Sequence, residues 1–113
     1  MKIMSKVSFI DSEQLQELFP SGTPAQDDLV IIDVRTPAEY AQEHIVGSVN
    51  LALDDLAHVE KNQFKDKTLV FHCKGGLRTK NNVHLLEMFN SKLSYCLSGG
   101  IEQWKACGFK VKN

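Results

Sequence analysis

The sequence predicts an α/β domain: a mostly parallel, twisted sheet of about five strands with helices on both faces. Three observations carry this reading. Strand-like and helix-like segments alternate along the chain. Two strand segments, LVIID (29–33) and TLVFH (68–72), are built on continuous apolar runs, as strands covered on both sides are. The 113 residues, 42% hydrophobic and 24% charged, suit a single domain over 1–113, its core over about 7–111.

The elements follow in order. VSFI (7–10) is a short strand. DSEQLQELF opens a helix with Asp11 as N-cap, Gln14 three residues on, and Ile10 placed to staple against Leu15. PSGTPAQDD (20–28) is a surface loop. After the LVIID strand, TPAEYAQEH forms a short helix with Thr36 capping, Pro37 at its first position and Glu39 completing a capping box. GSVNLAL (47–53) is a short strand or extended segment, and DDLAHVEKN a weak helix. TLVFH is the second buried strand. A helix from Arg78 to Asn90 turns Val83, Leu85, Leu86, Met88 and Phe89 inward. LSYCL (93–97) is another strand, and GGIEQWKACG a last helix stopped by Gly108. Trp104 belongs to the core beside it.

Composition narrows the function. A net charge of −1 argues against nucleic-acid binding by bulk electrostatics. No run approaches the roughly 18 apolar residues of a membrane span. The opening MKIMSKVSFIDSEQ is interrupted by Lys2, Lys6 and Asp11, so it lacks a signal peptide's apolar stretch, and a cytoplasmic protein is expected. Cys73, Cys96 and Cys107 cannot all pair with one another, and none forms a Cys-x-x-Cys, so no structural disulfide is expected. His72 and Cys73 are adjacent with no second His/Cys cluster, which gives no metal-site spacing, and the sequence calls for no cofactor.

The junction TLVFHCKGGLR concentrates the chemistry. Ligands of open α/β sheets bind at the carboxyl ends of strands, and Cys73 stands at such an end. A helix beginning near Arg78 directs its free N–H groups at the preceding loop. Gly75 and Gly76 let that loop curl with positive φ, so that successive amides converge as a nest. Lys74, Arg78 and Lys80 are cationic, and no Asp or Glu occurs between Asp66 and Glu87. Each feature stabilises a thiolate, and the expected product is a nucleophile in an anion-cradling loop. A free cysteine at a strand end is often just a small buried hydrophobe. The double glycine, the arginine and the strand-to-helix position argue for function instead. His72 should project away from the face of Cys73 because strand side chains alternate, leaving it a sheet or surface histidine.

CKGGLR resembles the Cys-x-x-Gly-x-Arg loop of the rhodanese-homology domain, the thiosulfate sulfurtransferase family. IIDVRTPAEYAQEHIVGSVNLAL resembles its Asp-Val-Arg segment with the following Glu and His-Ile-x-Gly-x-x-Asn. LSGGIEQWKACGFKV resembles its Gly-Gly-x-x-x-Trp-x-x-x-Gly ending. The likeness runs from about Val7 to Val111. It departs at Glu43, where a glycine often precedes the His-Ile pair, and at Val46, where proline is common. The resemblance implies a rhodanese-like fold in which Cys73 takes sulfane sulfur from a small anionic donor, thiosulfate or a persulfide. The sulfur then passes to cyanide, a thiol or a sulfur-relay protein. Amides from Lys74 to Arg78, including those of Gly75, Gly76 and Leu77, would hold the sulfur, and the side chains of Lys74, Leu77 and Arg78 would shape donor choice. Phosphatases of the same superfamily use a longer Cys-x5-Arg loop, whereas here Arg78 is five positions after Cys73. The shorter ring suits one sulfur atom. A catalytically silent interaction module of this fold, or a carrier serving one protein partner, are the alternatives.

The other landmarks read as scaffold. Asp33 takes a turn or cap role rather than that of a general acid. Arg35 and Glu39 are close enough to pair, although the capping box already occupies Glu39. Cys96 is inert in an interior strand. Nothing in the sequence brings Cys107 near Cys73 to resolve a persulfide. Arg78 is expected at a solvent-facing helix start.

Overall fold

The computed structural model describes residues 6–18 and 28–113. The loop expected over 20–28 lies outside the described residues except for Asp28. Chain order is β1 (Val7–Ile10), α1 (Ser12–Leu18), β2 (Leu29–Asp33), α2 (Pro37–Gln42), β3 (His44–Ile45), β4 (Val49–Asn50), a 3-10 turn (Leu53–Asp55), β5 (Thr68–His72), α3 (Leu77–Lys80), α4 (Val83–Leu86), β6 (Leu93–Leu97), α5 (Gly100–Ala106) and β7 (Val111–Lys112). Five strands form a parallel sheet in the order β1-β6-β5-β2-β4. An antiparallel pair, β3 with β7, is an addition that the sequence did not suggest.

Local chemistry sets the helix starts. Asp11 and Gln14 exchange backbone-to-side-chain bonds of 2.8 Å each, which caps α1. Ile10 and Leu15 pack in the same cluster, as the staple requires. Thr36 and Glu39 close the capping box of α2 behind Pro37. Gly108, at φ +81°, ends α5.

The sheet's two faces carry separate cores. Leu69, Phe71 and Cys73 join Ile32, Val34, Leu86, Phe89 and Cys96 on the face covered by α4 and the turns after β4. Val70 joins Leu15, Ile31, Leu97, Ile101 and Trp104 on the face covered by α1 and α5. The Trp104 indole N–H donates to the Lys110 carbonyl at 2.8 Å, satisfying its one polar atom in that core.

Two expected helices are interrupted. The segment from Arg78 to Asn90 is broken into α3 and α4 at Asn81–Asn82. The Asn82 carboxamide donates to the Arg78 carbonyl at 2.8 Å, the acceptor that its own backbone N–H would use in a continuous helix. That N–H turns to Thr79 at 3.1 Å instead. The break shifts the register, so Met88, expected inward, is 49% exposed while Phe89 is buried. The weak helix expected over DDLAHVEKN is a 3-10 turn that begins at Leu53 and passes into further turns. Of GSVNLAL only Val49–Asn50 is in the sheet, and the extended chain beyond continues with Leu51 and Leu53 bonding to Asp33 and Val34 carbonyls.

The strand order positions the site. From β2 the chain moves outward to β4, and from β5 it moves to β6 on the other side. Because β2 and β5 are neighbours, the loops leaving their carboxyl ends diverge and open a crevice.

Candidate active site

Cys73 follows the last residue of β5, beside Val34, which follows β2. Its residue surface is 1% exposed. The Gly76 N–H donates to Cys73 Sγ at 3.2 Å, and the Thr79 hydroxyl lies 3.7 Å from the same sulfur. That hydroxyl donates to the Gly76 carbonyl at 3.0 Å, so Thr79 ties the loop to α3 as well as flanking the thiol.

Gly76 makes the curl possible. It has φ +100°, and a Cβ there would meet the Gly99 nitrogen at 2.8 Å. Gly75 differs from expectation: its φ is not positive, and a side chain there would instead crowd the Glu102 carboxylate at 3.1 Å. The loop is clamped from below by α5. Ile101 and Glu102 donate their amides to the Cys73 and Lys74 carbonyls, each at 3.0 Å. A Cβ on Gly100 would sit 2.5 Å from both carbonyl oxygens, so this approach needs glycine. In the sequence Gly99 and Gly100 stand only as part of the family-like ending LSGGIEQWKACGFKV. The available signal was two glycines between a strand and a helix, the pattern of close backbone approach.

The tertiary structure sets the electrostatics of the site in three ways. First, the acid-free stretch is not acid-free in space. Arg78 binds Glu39 with two bonds of 2.8 Å, and Glu102 lies against Gly75. The Arg78 contact holds the Glu39 carboxyl at about 2, well under its ordinary 4.5, and the carboxylate pushes the Arg78 guanidinium further up. Arg78 therefore starts its helix partly exposed but already paired, not free in solvent. Second, Glu39 keeps its capping box, as expected, and Arg35 does not pair with it. Arg35 forks onto buried Asp33 at 2.7–3.1 Å and donates to the Glu43 carbonyl at 2.6 Å in a part-buried bond. Third, α3 is four residues long, so first-turn amides rather than a long helix dipole face the loop.

His72 lies on the face opposite Cys73 as a histidine of the sheet, fully buried. Its Nδ1 is 3.0 Å from the Cys73 carbonyl, and its Nε2 lies 3.7 Å from Asp33 Oδ2. Burial pushes its pKa down, and its Nδ1–H donates to that carbonyl. Lys74 and Leu77 are exposed beside the loop. Cys96 is buried in β6, where burial pushes its thiol up. Cys107 stands at the far end of α5, about 10 Å of helix from the loop-clamping end. Among the described residues no cluster of three metal-ligating side chains occurs, and no helix is long and apolar enough to cross a membrane.

An open parallel sheet with a cysteine under a glycine loop at its switch point defines an α/β domain with a candidate site at its strand ends. The chain belongs to the rhodanese-like domain family, which it matches over residues 12–107. It is 35% identical over 80 residues to the thiosulfate sulfurtransferase GlpE of Coxiella burnetii, a match covering 70% of this chain and 74% of that protein. It is 33% identical over 91 residues to slr1261 of Synechocystis, covering 78% of this chain but 51%, about half, of that protein. The Alr3790 protein of Anabaena shares the fold with a TM-score of 0.76 at 24% identity, over 92% of this chain and 82% of that one.

Proposed function

We propose that this protein is a sulfurtransferase working through a Cys73 persulfide. The observation that carries the reading is the Gly76 amide aimed at Cys73 Sγ in a loop that α5 clamps at the end of β5. In the first step the Cys73 thiolate attacks the outer sulfur of thiosulfate. The S–S bond of the donor breaks, its electron pair leaves with sulfite, and the outer sulfur stays on Cys73 as an anionic persulfide. In the second step an acceptor thiolate or cyanide attacks that sulfur, and the Cys73–S bond breaks to regenerate the thiolate. Neither step needs a general base, which agrees with His72 being buried on the opposite face. Amides of Lys74, Gly75, Gly76, Leu77 and Arg78 are the proposed cradle for the added charge. Lys74, Leu77 and the Glu39-paired Arg78 are proposed to set donor choice.

Incubation with thiosulfate followed by intact-protein mass measurement tests the reading. Wild type gains one sulfur, and Cys73→Ser gains none and loses turnover by on the order of a thousandfold or more. The 1% exposure of Cys73 favours a second reading, a catalytically silent interaction module. Wild type that takes up no sulfur from any donor supports that module. Slow transfer to cyanide with fast transfer to a protein thiol identifies a carrier.

A further inference from the structure

The proposed chemistry leaves one buried titratable ring unused, that of His72. It closes β5 on the face shared with Val70, fully buried. Its Nε2 makes no hydrogen bond and stands 3.7 Å from Asp33 Oδ2. Arg35 already holds that carboxylate with its own fork, so Asp33 is satisfied without the histidine. An unbonded polar atom in the interior is destabilising, and a leucine would fill the place without one. The bond that the ring does make is on its other side, where Nδ1–H donates to the Cys73 carbonyl at 3.0 Å. That oxygen also accepts the Ile101 N–H at 3.0 Å. One donor leaves a peptide plane free to rock, whereas two donors on the two lone pairs of one oxygen fix it. The peptide is trans and planar, so its N–H points opposite to its C=O. With the Cys73 carbonyl held towards α5, the Lys74 N–H turns the other way, to the face that carries the Cys73 side chain.

We propose that His72 is a positioning residue for the sulfur cradle. Together with Ile101 it fixes the Cys73–Lys74 peptide so that the Lys74 N–H faces the sulfur carried on Cys73. The inference rests on the persulfide reading above and gives that reading a residue from the opposite face of the sheet. His72 touches no substrate and moves no proton. It keeps one amide aimed before charge reaches the sulfur, where a donor already in place stabilises more than one that must first turn.

The test compares three variants of the full chain in the rate of thiosulfate loading, followed by intact-protein mass. Asparagine places its amide N–H where Nδ1–H stood, glutamine places it at the Nε2 position, and leucine has no donor. At saturating thiosulfate, His72→Leu is expected to load about tenfold more slowly, less than the roughly hundredfold loss that follows deletion of a preorganised donor. The half-saturating concentration stays within about twofold of wild type, because the side chains proposed to choose the donor are untouched. His72→Asn recovers the rate to within a few-fold, and His72→Gln does not. A purely structural role predicts another order. Asparagine is the smaller and more polar replacement in the core, so denaturant titration should rank His72→Leu at least as stable as His72→Asn. Loading that follows this stability order, or falls equally in both variants, overturns the proposal. So does a His72→Leu protein that loads like wild type, or one altered only in half-saturation. If thiosulfate fails to load wild type, the sulfurtransferase reading fails, and NMR of the unloaded protein decides the positioning on its own. The Cys73 carbonyl and Lys74 amide shifts are then expected to move together in His72→Leu and to return in His72→Asn. Shifts unchanged in His72→Leu, or moved equally in His72→Asn, overturn it.

Discussion

Cys73 and Cys96 make an instructive pair. Both belong to the core on the same face of the sheet, both are buried, and Thr79 lies against both. Cys96 stands beside Phe71 in the register of β5 and β6, two residues before Cys73 on the neighbouring strand. Inside β6 its backbone is committed to the ladders on either side, and burial pushes its thiol up. Cys73 lies just past the last strand residue, where the chain curls back and Gly76 turns an amide onto the sulfur. Burial is therefore not what separates the proposed nucleophile from the interior thiol. The difference lies in whether nearby amides are free to turn towards the sulfur, which a strand interior forbids and a strand end permits.

Gly76→Ala should break that contrast most strongly. A side chain at φ +100°, 2.8 Å from the Gly99 nitrogen, forces the loop to move. Chemical denaturation should report a loss of about 1–3 kcal/mol, together with impaired sulfur uptake at Cys73. A variant as stable and as reactive as wild type would show that the curl is not what distinguishes the two cysteines.

Glu39→Gln asks how much of the difference belongs to Arg78 rather than to amides. Glutamine can keep the capping box but releases the guanidinium. The sign follows from the carboxyl's depressed pKa. Its stabilisation is complete above its ordinary 4.5 and fades as pH falls towards about 2. The stability gap between wild type and Glu39→Gln should therefore close over that window. The gap should be small, about 1 kcal/mol or less, because the pair is partly exposed at 38% and 28% and is screened by water. With Arg78 released, KM for thiosulfate should fall a few-fold. An unchanged KM would make Arg78 a residue that positions the loop rather than one that binds the donor.

Cys96→Ala should have the least effect. Removing one buried sulfur should cost about 1 kcal/mol in denaturant titration, while the one-sulfur adduct at Cys73 forms to full stoichiometry. Loss of the adduct in this variant would mean that the interior thiol takes part after all.

Much of this architecture was legible in the chain because its signals are local. The capping pairs Asp11–Gln14 and Thr36–Glu39 lie three residues apart, the buried strands are continuous apolar runs, and Gly108 stops a helix within one turn. The same is true of Cys73 at a strand end with glycines after it. The Asn81–Asn82 break also left a local trace in two residues of low helix propensity, within an apolar pattern that runs on to Phe89.

By itself the sequence determined the parallel α/β order, the helix caps and the placing of one cysteine where a strand gives way to a glycine loop. Only the tertiary structure decided which charges meet. Glu39 reaches Arg78, 39 residues on, instead of nearby Arg35, and Glu102 approaches Gly75 from a different helix. His72 became a buried neighbour of Asp33, and the start of α5 became the clamp under the loop. The physical reason is one of range. Caps and strand patterns are set by bonds within a turn or by side-chain alternation, whereas charge pairing depends on which strand ends the sheet order brings together.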